Sequence, residues 1–255
     1  VNGENIGNTG AGIMVINAHD IVIGSSIANA NIIAYNGKGV VVKDWPSSSS
    51  GSCYNVQITY NRIFSNNDLG IDLNDDGVTL NDVGDNDTGP NKLLNFPVIT
   101  SAYVEDGNLT IKGTLDTDIP NSNFNIVFFN NPNGVIDADP SGYGENYIRI
   151  GLIAVTTDGN GDASFTAVYP PTTEVGHGQA NYKDKIVAFA RSATENTSEY
   201  SHYFEVTAVA DSVSTLDVNR TYSIYERPDA ISYEWTVPAG ATITSGQGTI
   251  SINVD

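Results

Sequence analysis

The chain has 255 residues, 40% of them hydrophobic, with 30 acidic side chains against 11 basic ones and a formal net charge of −19. That balance excludes the partners that attract basic patches, namely nucleic acid and anionic membrane surfaces. A single cysteine, Cys53, excludes an internal disulfide framework and a cysteine-based zinc site, and the chain has no long apolar run for membrane insertion. No window carries a long apolar stripe at helical spacing, so the predicted class is all-β.

The first seventy-odd residues repeat one phrase three times. It reads Asn5-Ile6-Gly7-Asn8 before Gly12-Ile13, Asn31-Ile32-Ile33-Ala34-Tyr35-Asn36 before Gly39-Val40, and Asn61-Arg62-Ile63-Phe64-Ser65-Asn66 before Gly70-Ile71. Gly12, Gly39 and Gly70 lie 27 and 31 residues apart. Short β-branched runs at such a period predict a stacked solenoid of parallel coils, which buries its apolar face only by stacking. Ile6, Ile32 and Ile63 would form one internal ladder, and Ile13, Val40 and Ile71 another. The Asn residues would turn the corners, and Trp45 to Ser52 would be a loop let out of a coil. About three coils with no N-terminal cap, in a chain that starts at Val1, predict a piece of something larger. Coils and acidic junction together span residues 1–91.

Residues 92–209 carry a different pattern, with strands at Leu109, Phe124, Tyr147, Ala163, Lys185 and Tyr203. Alternation, as in Phe124, Ile126 and Phe128, gives each strand one buried face. About seven strands in this length predict an Ig-like β-sandwich. Asp158-Gly-Asn-Gly-Asp162 reads as a hairpin turn. A third unit, residues 210–255, offers three more strands around Tyr222, Trp235 and Ile250, too few to close a sandwich alone. Trp235 is its expected core residue.

The densest chemistry lies between Asp68 and Asp87, where seven carboxylates occur in twenty residues without a Lys or Arg. Such crowding calls for a cation or for splaying into solvent. Asp72-Leu-Asn-Asp-Asp-Gly77 places oxygen ligands at alternate positions before a glycine, the opening of a calcium loop. The glutamate expected twelfth is absent, since Val83 stands there. The candidate calcium ligands are therefore Asp72, Asn74 and Asp76, completed by Asp85 and Asp87. The alternative is a solvated acidic loop.

Other candidates read as structure. His177, between two glycines, is a loop histidine, and Asp158, Asn160 and Asp162 are explained by their turn. Tyr143, Tyr147 and Tyr182 could form a sugar platform. Asp211-Ser212-Val213 matches a short O-glycosylation signal. Before Lys92 there are ten acidic and only three basic residues, Lys38, Lys43 and Arg62, a poor setting for lyase chemistry.

The run Gly70-Ile-Asp-Leu-Asn, followed by Asn81-Asp-Val-Gly-Asp-Asn-Asp-Thr-Gly-Pro-Asn91 and Asn95-Phe-Pro-Val-Ile99, resembles the junction in bacterial secreted proteins that join a right-handed parallel β-helix to an Ig-like module. Val155-Thr-Thr-Asp-Gly-Asn-Gly-Asp-Ala-Ser-Phe165 and Ala193-Thr-Glu-Asn-Thr-Ser-Glu-Tyr-Ser201 resemble that module. Ser232 to Val254 is similar to PKD-like repeats of large Bacteroidota surface proteins. The resemblance implies a right-handed parallel β-helix end, an Ig-like β-sandwich and a partial PKD-like β-sandwich. It also implies an extracellular or cell-surface location reached by type IX secretion. The expected function is a non-catalytic structural or adhesive segment, stiffened by calcium, whose partners are neighbouring domains and an extracellular glycan or surface ligand. The alternatives are the C-terminal part of a β-helix polysaccharide-degrading enzyme, or a carbohydrate-binding module.

Overall fold

The computed structural model describes residues 7–45, 53–105, 107–133, 141–170, 180–194, 196–208, 220–223, 233–237 and 240–255. Ile6, the loop at 46–52, His177 with its flanking glycines, and Asp211-Ser212-Val213 lie outside them. Val1–Thr207 forms one compact unit and Ala208–Asp255 a second.

In the first unit the repeats yield seven short strands: β1 (Ala11–Ile16), β2 (Ile21–Ile23), β3 (Ile32–Ala34), β4 (Lys38–Lys43), β5 (Val56–Ile58), β6 (Arg62–Phe64) and β7 (Ile71–Leu73). They pair in parallel as β1-β4-β7, β2-β5 and β3-β6. Ile13 stands beside Val40, and Val40 beside Ile71. In the other ladder the expected stack is wrong by one residue. Ile33 faces Ile63, while Ile32 faces Arg62 and is 66% exposed. The Asn31 amide donates to Asn61 Oδ1 at 2.8 Å; matching these two asparagines sets the phase.

Asn17, Asn55 and Asn74 take the expected left-handed backbone at strand ends, whereas the repeated Asn36 and Asn66 work through their amides. Asn8 N–H donates to Asn36 Oδ1 (3.0 Å), and Asn36 N–H and Nδ2 both donate to Asn66 Oδ1 (3.0 and 3.1 Å). The left-handed corner positions beside them are Tyr35 and Ser65. Glycine has a steric reason. A Cβ on Gly39 would lie 2.3 Å from the Gly70 carbonyl oxygen and 2.5 Å from Ile63 Cγ2, so neighbouring strands close only over a bare Cα. Gly39→Ala should cost about 2 kcal/mol and lower the melting temperature by roughly 4–8 °C. Gly10→Ala, with nothing within 4 Å of the added atom, is the control. Equal melting of the two variants would show the close approach to be unimportant.

Eight strands follow in the first unit's sheets: β8 (Val98–Glu105), β9 (Asn108–Asp116), β10 (Asn123–Asn131), β11 (Ile148–Thr156), β12 (Asp162–Tyr169), β13 (Lys185–Ser192), β14 (Phe204–Glu205) and β15 (Thr207–Ala208). They build two four-stranded sheets, β11-β10-β13-β14, antiparallel throughout, and β12-β9-β8-β15, antiparallel from β12 to β8. One core lies between these sheets, with Phe124, Ile126 and Phe128 of β10 and Ile186, Ala188 and Ala190 of β13. A second core forms on the other face of β10 and β13. There Val127, Phe129, Val187 and Phe189 meet Ile33, Val40, Ile58, Ile63, Ile71 and Leu73 of the parallel strands. The sheet holding β10 and β13 is thus a middle layer. Both faces of these two strands are buried, not one as alternation predicted, which suits their near-continuous apolar sequence.

The expected fold class, a right-handed parallel β-helix end followed by Ig-like and partial PKD-like β-sandwiches, is corrected. The described residues form six small sheets of two to four strands, and no solenoid stands on its own. The physical reason is the shortness of the parallel ladders. Two or three strands per ladder cannot bury their own apolar side chains, so these pack on the antiparallel sheet and share its core. What holds is the all-β class.

The second unit contains β16 (Arg220–Ser223), β17 (Ile243–Ser245) and β18 (Ser251–Val254), in an antiparallel sheet ordered β16-β18-β17. Trp235 is only half-buried there, contrary to expectation, and its indole N–H donates to the Thr249 carbonyl at 2.7 Å. The side chains buried in this sheet are Ile252 and Val254.

Candidate cation site and buried polar seam

The five expected calcium ligands do not come together as one set. Asp72 is fully buried, and its Oδ2 lies 2.7 Å from Lys38 Nζ. Lys38 also reaches Asp75 at 2.9 Å, and Lys43 reaches Asp75 at 2.6 Å. Asp72 further accepts the Asp76 and Gly77 N–H groups at 3.2 and 3.3 Å, and Asn74 donates to Asp76 Oδ2 at 2.8 Å. Lysine ammonium groups thus pair with Asp72 and Asp75, of which Asp72 is an expected ligand. Burial pushes the Asp72 carboxyl up against the pull of Lys38, whereas hydrogen bonds from Lys43 and Lys38 hold Asp75 low. No basic residue stands near these acids in sequence. Parallel pairing of β4 with β7 delivers two.

Asp85 and Asp87 belong to a different group, together with Asp82. Each of the three carboxylates places one oxygen within 4.8 Å of the others. Local hydrogen bonds fix the loop that carries them. Asn81 and Phe96 exchange bonds of 2.8 and 3.0 Å; Asp82 N–H donates to Asn95 Oδ1 (3.2 Å), and Asn95 Nδ2 returns to the Asp82 carbonyl (2.9 Å) and reaches that of Asp116 (3.1 Å). Gly84 N–H donates to the Asp116 carboxylate, and Asn86 N–H to that of Asp82. Asp85 is 3% exposed; its Oδ1 accepts the Asn95 N–H at 2.9 Å, and its Oδ2 is buried with no hydrogen-bond partner. Asp87 Oδ1 is in the same condition. Burial, reinforced by the charges of Asp118 and Asp87, pushes the Asp85 carboxyl up to about 7 against the pull of the Asn95 and Asp118 N–H groups. Burial also raises that of Asp87, helped by Asp82.

A second feature was not expected from the sequence. The last parallel strands, β5, β6 and β7, end with outward N–H groups, and side chains from distant segments take them. Asn91 Oδ1 accepts from Val56 (3.0 Å), Thr197 Oγ1 from Ile58 (3.0 Å), Asn146 Oδ1 from Ile63 (2.7 Å), and Glu199 Oε1 from Leu73 (2.8 Å). Glu145 Oε1 ends the asparagine ladder, accepting Asn66 N–H at 3.0 Å and its Nδ2 at 2.8 Å. Glu199 Oε2 takes Thr79 N–H, and Asn196 Oδ1 takes Asn55 N–H. Tyr200, packed with Phe129 and Phe189 at centroid distances of 5.8 Å, accepts the Asn146 amide on its hydroxyl. An open sheet edge templates unwanted pairing; here side chains block it. The legible signal was the polar run Asn196-Thr-Ser-Glu-Tyr-Ser201, every residue of which is buried.

The remaining candidates are structural. Asp158 Oδ1 accepts the Asn160 and Asp162 N–H groups at 2.7 and 3.1 Å, as a hairpin turn requires. The three tyrosines do not make a platform. Tyr143 packs edge-on to Phe96 and His202, Tyr147 edge-on to Phe64 beneath the Arg62 guanidinium, and Tyr182 is 60% exposed.

Residues 202–255 match the family model of the PKD-like domain. PKD-like domains occur in extracellular proteins and are generally non-catalytic. Among the described residues, no helix is long and apolar enough to cross a membrane.

Proposed function

We propose that this chain is a non-catalytic structural or adhesive segment of a secreted or cell-surface protein, holding neighbouring domains in fixed spacing or presenting a surface to an extracellular glycan or surface ligand. One observation carries the reading: the buried acids beside the parallel strands, Asp72, Glu145 and Glu199, are committed to architecture. Glu145 accepts the backbone and side-chain N–H of Asn66, Glu199 accepts the N–H groups of Leu73 and Thr79, and Asp72 is held by Lys38. General acid–base catalysis needs a group within reach of a substrate proton, and these face backbone, an asparagine amide or lysine. The open groove of about 450 Å³ lined by Thr9, Met14, Lys38, Asn67, Asp68 and Asp75 has its lysine and Asp75 already paired. The similarity of residues 232–254 to Bacteroidota surface repeats supports export by type IX secretion.

Incubation with pectin, alginate and neutral glycans, with calcium present, should yield neither new reducing ends nor unsaturated products. Turnover that disappears in Asp72→Asn or Asp76→Asn would overturn the proposal in favour of a polysaccharide-degrading enzyme.

A further inference from the structure

The geometry points to a divalent-cation site, best suited to calcium, formed by Asp82, Asp85 and Asp87 and separate from the lysine-filled Asp72 loop. Two independent observations carry it. The first is spacing: three carboxylate oxygens within 4.8 Å of one another match ligands about 2.4 Å from a shared ion, the calcium–oxygen distance. The second is the orphaned oxygen. Asp85 is 3% exposed and its Oδ2 has no partner, while Oδ1 is spent on the Asn95 N–H. An acceptor buried beside two like charges, one of which also carries a partnerless oxygen on Asp87, is costly unless something positive completes it. Two carboxylates at this separation repel strongly at the effective dielectric of a protein surface, and a divalent ion converts that repulsion into attraction.

All three ligands are hard oxygens with no imidazole or thiolate among them, which favours calcium over zinc or copper. Lys92 Nζ is engaged by Asp118 at 2.7 Å. Asp116 is used by Gly84 N–H. The ion would sit where loop 81–87 is tied to Asn95, Phe96 and the end of β9, and so would clamp the connector between the parallel strands and the antiparallel sheets. Calcium there would supply the stiffening that a spacer needs, so the inference deepens the structural reading without depending on it: absence of turnover and absence of calcium binding are separate results.

The test is calorimetric titration of the full chain with calcium chloride, paired with thermal melting. Wild type should bind one ion at this site, and at a hundred times the dissociation constant its melting temperature should rise by roughly 5–10 °C. Asp85→Asn, which keeps an oxygen for Asn95, and Asp87→Asn should each reduce affinity at least tenfold. Asp72→Asn should leave affinity within twofold. Without calcium, Asp85→Asn should melt above wild type, because a neutral amide replaces a charged orphan; with calcium the order should invert. Absence of binding at 5 mM calcium, unchanged affinity in both Asp85→Asn and Asp87→Asn, or loss of binding in Asp72→Asn alone would overturn the assignment.

Discussion

Replacing Glu199 with alanine should lower stability by about 3 kcal/mol, because it strands the buried N–H of Leu73 and the partly buried N–H of Thr79. For a unit of this size that is a fall in melting temperature of roughly 6–12 °C. Glu199→Gln keeps the shape and one acceptor and should lose about half as much. The carboxyl also imprints a pH dependence. Burial, opposed by the two N–H donors and reinforced by Asp72 and Asp76, raises it from 4.5 to about 8. The folded form therefore binds the proton more tightly than the unfolded chain. That contribution is fully present below pH 4.5 and is lost as pH rises through about 8. Melting at pH 5 and pH 9 should show wild type losing more than Glu199→Gln over the window. Parallel losses would assign the slope to other groups.

Asn91→Ala should be comparably damaging, at about 4 kcal/mol. The Asn91 amide imitates a strand: it accepts from Val56 N–H at 3.0 Å and donates to the Val56 carbonyl at 2.8 Å, then to that of Thr197 at 3.0 Å. It is fully buried, and its backbone is left-handed at φ 49°. Alanine removes all three bonds and is also strained in that conformation. Asn91→Gly removes the bonds but not the backbone freedom, so it should be less harmful than alanine by about 1 kcal/mol. Urea denaturation reports both as midpoint shifts at unchanged slope. A glycine variant less stable than the alanine variant would contradict the left-handed argument.

These two residues also show where sequence reasoning stops. The Thr-Gly-Pro-Asn91 run was visible as a junction, yet nothing in its spacing names Val56 as the amide's partner. Gly39 and the matched Asn36 and Asn66 were legible because they repeat, and repetition reflects stacking against a copy of the same phrase. Ile32 was misassigned because two adjacent isoleucines leave the phase open; only the Asn31–Asn61 bond resolves it. The calcium reading grouped acids by nearness in the chain, but Asp72 pairs with Lys38, 34 residues earlier, while Asp85 and Asp87 join Asp82.

The sequence by itself determined the all-β class, the short strands and the turns, since these follow from β-branched runs, glycine and asparagine acting over a few residues. Tertiary structure alone decided that the parallel ladders lie on β10 and β13 rather than standing as a solenoid, and which side chains close their edge. Burial of apolar faces and satisfaction of buried N–H groups are settled by whatever surface arrives in space, and the side chains that close the edge come from residues 35 to 141 positions further along the chain.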